Sequence, residues 1–425
     1  MGRFDRVRKG LLRPSTISVL ILVLIGGFIA ESETVRDHFP FIVTAELEMH
    51  QALARADPRR PRVRLMAVME IDDATFWHPP LSGIEPLNRR FIADLALNAA
   101  AGGALLIAID VPLRNYAAPG DQASRALDDE YLSRAIESIA ARHIPVVLTV
   151  TLAETVAGPE WAGMPKLMPQ NQMPPETVVG HVHVPRDPRE IQLNITALSS
   201  DGERDVTLDS FAMASVDGYE RETHIVPPTR SDRIIVKAMR RDQFVYGGFL
   251  RTDAFPHVSA RRLWLGEPAA KAVCRNRIVI IGRNWHRDGP ALGPMVETYD
   301  SPVGEIAGAY LHANYIEALM DKRFHAAVPL WLTMLIEFVA GLMLYGAYHA
   351  MDGTRFALEM VGIVIVLAMV AYLMFANVGL YLDFVPILIG VFVHLAYEHA
   401  TTFAVSAWHR TLGKIRIPFR RARSK

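Results

Sequence analysis

The residues of this chain that could do chemistry sit where its apolar runs stop. Arg62 to Ile71 (RVRLMAVMEI) stops at Asp72 and Asp73, Ala104 to Val111 (ALLIAIDV) carries Asp110 with Arg114 just beyond, and Arg277 to Gly282 (RIVIIG) runs into Arg283 and Asn284. Asp288 follows in the same loop, and Ile144 to Thr151 (IPVVLTVT) closes on Thr151. If these runs are neighbouring parallel strands, their carboxyl ends share one edge, and that edge is where ligands lie in open α/β sheets. Carboxylates beside guanidinium groups there would hold a zwitterionic small molecule or a divalent cation. The same residue types cap helices and close loop hydrogen bonds, so a purely structural role is the competing expectation.

Other constellations point to less. His181 and His183 alternate as two residues on one face of a strand would, but a third metal ligand is not evident near them, and no metal or other cofactor is expected. Cys274, the only cysteine, adjoins an apolar run and reads as a small core residue; alone, it also excludes an intramolecular disulfide. The sequence contains no G-x-S-x-G elbow, no Walker loop and no H-E-x-x-H, and no set of nucleophile, base and oxyanion donors can be assembled. The chain is therefore expected not to be an enzyme. A formal net charge of zero argues against nucleic acid as a partner.

The hydrophobic pattern sets the frame for these residues. Residues 11–30 (LLRPSTISVLILVLIGGFIA) carry no charge after Arg13, and as a helix they would cross about 30 Å of hydrocarbon. Arg3, Arg6, Arg8, Lys9 and Arg13 place the N-terminus, residues 1–10, in the cytoplasm. A cleaved signal peptide has the same basic start, but Phe28 and Ala30 make a poor cleavage site, so an uncleaved anchor is expected. Further spans are expected at residues 328–350, 356–376 and 379–404, joined by short turns. The tail at 405–425 holds Arg410, Lys414, Arg416, Arg420, Arg421, Arg423 and Lys425 with no acid, which fits a cytoplasmic end beside anionic lipid. Residues 31–327 would then lie outside the membrane, in the periplasm of a bacterium whose inner membrane holds the rest. Among the spans, Glu337 at mid-depth should meet neighbouring helices, with His394 or Tyr397 as partner; the last span also carries Asp383 and Glu398. Interhelical contact and a proton or ion relay are the two readings of this set.

Within residues 31–327 the periodicity predicts an α/β fold, with a mostly parallel sheet flanked by helices. Helices are expected at Leu87 to Gly102, Tyr131 to His143, Leu208 to Val216, His257 to Trp264 with Ser259 as cap, and Ala307 to Met320. Residues 157–184 are expected to be an irregular excursion. Antiparallel strands are expected at His181 to Val184 and Ile191 to Leu198, with more strands at Ile234 to Met239 and Phe244 to Leu250. Arg283 to Gly304 is expected to be a long loop.

In order, VMEIDDATF at Val68, Arg89 with Ala93, ALLIAIDV, Gly120-Asp121, GHVHV at Gly180, FPHVSARRLW at Phe255, RIVIIG and AGAYLHANYIEALM at Ala307 resemble the CHASE2 extracytoplasmic sensory domain. The resemblance covers Leu65 to Arg323 and extends to the layout, one span before the domain and three after it. It adds Arg89 to the candidate ligand-binding residues, although the WPWPR stretch common in the family is GIEPLNRR at Gly83 here. CHASE2 domains usually precede a cytoplasmic kinase or cyclase, and the basic tail after the last span is far below the size of a folding catalytic domain. The expectation is a non-enzymatic membrane protein with a ligand-binding sensory domain that signals through a separate membrane partner, reached by its transmembrane helices and basic tail. The alternative is a structural or assembly subunit of a larger membrane complex.

Overall fold

The computed structural model describes residues 65–85, 87–113, 122–150, 152–155, 158–161, 177–184, 190–198, 205–223, 244–247, 249–320, 324–328, 353–378 and 380–382, with scattered positions at 44–63 and 332–339. The chain divides into two units: His50–Ala327 with Ala376–Leu380, and the remaining N- and C-terminal stretches. In chain order the first unit runs β1 (Met66–Asp72), α1 (Asp73–Phe76), α2 (Arg89–Ala101), β2 (Leu106–Asp110), α3 (Gln122–Ala140), β3 (Val146–Val150), β4 (Leu152–Thr155) and β5 (Gly158–Trp161). It continues with β6 (Thr177–His181), β7 (Glu190–Gln192), β8 (Asn194–Leu198), β9 (Asp205–Asp209), α4 (Phe211–Thr223), β10 (Phe244–Gly247) and β11 (His257–Ser259). Last come α5 (Ala260–Trp264), α6 (Pro268–Cys274), β12 (Ile278–Asn284), β13 (Thr298–Ser301), β14 (Gly304–Ala307), α7 (Gly308–Met320) and β15 (Phe324–Ala327).

The apolar runs do pair in parallel. They make a six-stranded sheet of order β11-β1-β12-β2-β3-β6, every neighbour parallel. The last long strand in sequence, β12, is threaded between the first two. Side chains alternate by the two-residue period of a strand. Ala67, Met69, Ile71, Ile107, Ile109, Val279 and Ile281 meet one core, which α2, α3, α5 and α6 complete. Met66, Val68, Leu106, Ala108, Ile278 and Ile280 meet the other, completed by α4 and α7. Burial on both faces is why these strands read as continuous apolar runs.

Two glycines let helices lie close on the second face. A Cβ on Gly180 would stand 2.5 Å from Phe211 Cα of α4, and one on Gly282 would overlap the Cβ of Ala309 on α7. All thirteen residues of α7 are buried, and its polar positions are used as clamps. Glu317 accepts from the backbone N–H groups of Leu65 and Met66, both at 3.1 Å, at the start of β1. Asn314 accepts from Leu250 N at 2.6 Å and donates to Leu250 O at 3.1 Å. Neutral bonds such as those of Asn314 contribute about 0.5–1.5 kcal/mol each, and bonds to a carboxylate such as those of Glu317 about 1.5–3 kcal/mol.

Several expectations need correction. The stretch expected to be irregular at 157–184 contains β5 and the sixth sheet strand, β6, which pairs in parallel with β3 and is not part of an antiparallel pair with Asn194–Leu198. β8 pairs instead with β9, antiparallel. His257–Ser259 is an edge strand on β1, not the first turn of a helix, and α5 starts after it. Ser259 makes no side-chain cap bond there; its hydroxyl donates to Asp72 at 3.0 Å. α3 begins at Gln122, well before the expected Tyr131. The loop after Gly282 contains the β13–β14 hairpin. Ile234 to Met239 lies outside the described residues.

In the other unit, α8 (Gly353–Leu373) falls on the run expected at 356–376; a π-helical turn, Met374–Val378, follows it in the chain. Val361, Ile365, Val366, Met369 and Leu373 are exposed on it. No helix among the described residues is long and apolar enough to cross a membrane. The runs at 11–30, 328–350 and 379–404 lie wholly or mostly outside those residues.

Gly282→Ala is expected to destabilise the first unit by roughly 1–3 kcal/mol, because Ala309 sits on a rigid helix and α7 must back away. Adding Ala309→Gly should recover part of that loss despite its own helix-propensity cost of about 1 kcal/mol. Additive melting-temperature losses in the double variant would refute the close approach.

Candidate functional site

The pleat that builds the second core also lines up polar residues at its carboxyl end. Continuing the alternation past Val68, Ile280 and Ala108 brings Glu70, Gly282 and Asp110 into one row across β1, β12 and β2, in direct register. Gly282 leaves a notch between the two carboxylates, and the first turn of α7 fills it through Ala309. Glu70 is well satisfied: it accepts from the Tyr310 hydroxyl on α7 and from Asn284 Nδ2 at 3.0 Å.

Asp110 is in a different position. It is 5% exposed, and burial pushes its carboxyl up to about 6, with the Arg283 charge opposing. Arg283 itself pairs with Glu297, which lies just before β13. Burial raises Glu297 above the ordinary carboxylate range, Asp110 adds to that rise, and Arg283 and His312 oppose it. Tyr299 on β13 is raised as well, by burial and then by the Glu297 and Asp110 charges. One guanidinium therefore serves two part-desolvated carboxylates, an arrangement that leaves one negative charge uncompensated when both are ionised.

Two imidazoles complete the cluster. His312, on α7, is 5% exposed and its Nδ1 has no hydrogen-bond partner; burial lowers it to about 4, with Glu297 opposing. His181, at the end of β6, is 1% exposed with neither ring nitrogen partnered; burial first, then the charges of His183 and His312, lower it to about 3. Both rings are neutral at pH 7. Arg283 Nε is also buried without a partner. Leaving such groups unpaired costs about 1–3 kcal/mol each.

The structure sorts the residues expected from sequence into separate roles. Asp110 and Arg283 meet in the cluster, and Asn284 reaches it through Glu70. Asp72 caps α1, accepting from Thr75 N at 2.9 Å, and also holds Ser259. Asp73 ties down the loop after β12: it accepts from His286 N at 2.7 Å, His286 Nδ1 at 2.7 Å and Ala291 N at 2.9 Å. Burial works against its charge, yet those two backbone bonds and the His286 side chain outweigh it and hold Asp73 below the usual range. Arg89 joins α2 to its surroundings, bonding Leu113 O at 3.1 Å and pairing with Asp129 of α3. Asp288 is exposed in the loop, its carboxylate against Gly293. Arg114, Glu337, His394 and Glu398 lie outside the described residues.

His183 is exposed while His181 is buried, so the two do not form a pair. Cys274 is buried in the first core, and burial pushes its thiol up to about 11, which suits a packing residue. Sequence reasoning passed over Glu70, Glu297, Tyr299, Tyr310 and His312. The available signal was polarity out of place: Glu70 inside an apolar strand, and His312, Asn314 and Glu317 inside an otherwise apolar helix.

The fold and the cluster define an α/β domain with a polar cluster, partly buried, at the carboxyl edge of a parallel sheet. The family model described as the CHASE2 domain matches residues 19–348, and the chain belongs to that family, a family of sensory domains. The match extends past the α/β unit into the hydrophobic runs at 11–30 and 328–350. No curated protein and no solved structure matches the chain.

Asp73→Ala should free the loop from Trp285 to Val296 without unfolding the sheet. The amides of His286 and Ala291 are expected to exchange at least about tenfold faster, the equivalent of about 1.4 kcal/mol of lost protection. Unchanged exchange at both amides would show that Asp73 does not hold the loop.

Proposed function

We propose that this protein is a non-enzymatic sensor whose α/β domain binds a small polar ligand at the cluster of Asp110, Arg283, Glu297, His312 and His181. The observation that carries this reading is a buried carboxylate, Asp110, and two buried neutral imidazoles beside the half-buried Arg283–Glu297 pair, several with unpartnered atoms, at the sheet edge where α/β proteins bind ligands. A zwitterion suits it best. Its ammonium group would meet Asp110 and Glu297, and its carboxylate would meet Arg283.

In this proposal the chain is an inner-membrane protein of a bacterium, anchored by the runs at 11–30, 328–350, 356–376 and 379–404, with the α/β domain outside and both ends in the cytoplasm. The consequence of binding passes through the helices to a separate membrane partner. Five exposed apolar side chains on α8 support that part, since such a surface needs lipid or another helix against it. They equally favour the second reading, an assembly subunit of a larger complex.

The common amino acids, screened one by one against the full-length protein in detergent, provide the test. A ligand at a hundred times its Kd stabilises by about 2.7 kcal/mol, so the melting temperature should rise by several degrees with at least one of them, and Arg283→Gln should abolish that rise. No shift with any of them, together with stoichiometric co-purification of a membrane enzyme or transporter from native membranes, would replace the sensor reading with the subunit reading.

A further inference from the structure

We propose that the Asp110 carboxyl, set against the Arg283–Glu297 pair under the first turn of α7, is a proton-binding site through which the domain responds to ambient pH. The inference rests on the location of the site argued above but not on any small-molecule ligand.

The geometry carries it. Asp110 closes β2 next to Gly282, whose added Cβ would lie 3.5 Å from Asp110 Oδ2, so the carboxylate stands beside the notch into which α7 is pressed. The titratable and charged groups around it come from each neighbouring element. β12 supplies Arg283, the segment before β13 supplies Glu297, β13 supplies Tyr299, and α7 supplies His312. His181 of β6 stands behind His312, and Glu70 of β1, across the notch, is occupied by Tyr310 and Asn284. Thr149 of β3 is turned away, donating to Val111 O at 3.0 Å. Of all these only Arg283 is a cation at neutral pH, and its hydrogen bond goes to Glu297. One proton on Asp110 removes the unbalanced charge and leaves Arg283 to Glu297 alone. The imidazoles do not compete for that proton, because burial holds both well below their ordinary range.

The sign of the linkage follows. A carboxyl raised to about 6 when folded, against an ordinary 3.8, binds its proton more tightly in the folded state. Its favourable contribution is complete below about pH 4 and is lost as the pH rises through about 6. The two lowered histidines act oppositely: their contribution is present above their ordinary 6.5 and is lost as the pH falls toward about 4 and 3. The slopes overlap and partly cancel, so the melting temperature of the wild type alone is a poor readout.

Infrared difference spectroscopy on the full-length protein in detergent, recorded from pH 8 down to pH 4.5, sees the carboxyl directly. A protonated-acid carbonyl band with a midpoint near pH 6 is expected. It should be missing in Asp110→Asn, unchanged in Asp253→Asn, which removes an exposed carboxylate, and shifted to higher pH by about one unit or more in Arg283→Gln. If Asp110→Asn does not fold, the Arg283→Gln shift decides. Absence of a band titrating near pH 6, a band that survives Asp110→Asn, or one that Arg283→Gln leaves in place would overturn the proposal. A titrating Asp110 with no amino acid raising the melting temperature would keep the proton site and discard the zwitterion; the reverse pair of results would do the opposite.

Discussion

The contact between Gly282 and Ala309 is the constraint on which the rest of this domain depends. It seats α7 against the middle of the sheet, on the strand threaded between β1 and β2, and so fixes what stands on either side of that strand. On one side is Glu70, on the other Asp110. A side chain at position 282 would lift the helix, remove Tyr310 from Glu70 and open the cluster around Arg283 to water. Close packing of the interior makes this an all-or-none arrangement, since neighbouring side chains sit at van der Waals contact and cannot take up a displaced helix gradually.

The two carboxylates flanking the notch are chemically alike and differ only in their neighbours. Glu70 has a hydroxyl and an amide donating to it, so its charge is spread over donors at a part-buried site. Asp110 shares one guanidinium with Glu297, and His312, on the helix above, is held neutral by burial. Environment alone thus assigns one acid to structure and leaves the other poised. The same logic separates Asp72 and Asp73 from the cluster. Both are engaged by local donors, the first by the turn of α1 and Ser259, the second by His286 and the Ala291 N–H of the loop after β12, and those bonds hold them away from the cluster.

Much of the fold was legible because the strands buried on both faces write themselves as unbroken apolar runs, as Leu106 to Ile109 and Ile278 to Ile281 do. What escaped was short or flanked by misleading composition. Thr177–His181 follows a stretch rich in proline and methionine that hides its pairing with β3. His257–Ser259 is too short to display a period of two, and its place beside β1 is a tertiary fact. Gln122 to Glu130 begins α3 with a polar turn that lacks an apolar stripe. In the candidate site, Asp110 and Arg283 could be found because they end strands. Glu297 and His312 could not, because the hairpin β13–β14 brings them into range from a segment whose sequence reads as loop and from a helix whose pattern reads as plain core.

α7 is clamped at intervals along its length, and this decides how a change in the cluster can travel. Tyr310 is held by Glu70 near its start, Asn314 by both backbone groups of Leu250 at its middle, and Glu317 by the first amides of β1 near its end. A helix buried on all sides and hydrogen-bonded in this way does not bend to absorb a charge appearing at its N-terminus. The perturbation must either be neutralised where it arises or move the helix as a body against Leu250 and the start of β1. Neutralisation by a proton on Asp110 costs least while the helix stays seated. A ligand able to supply its own positive charge would offer the alternative, and the sequence beyond Met320 leads from α7 through β15 to the hydrophobic run at 328–350. The helix that closes the site therefore feeds, through β15, into the segment by which the chain leaves the domain.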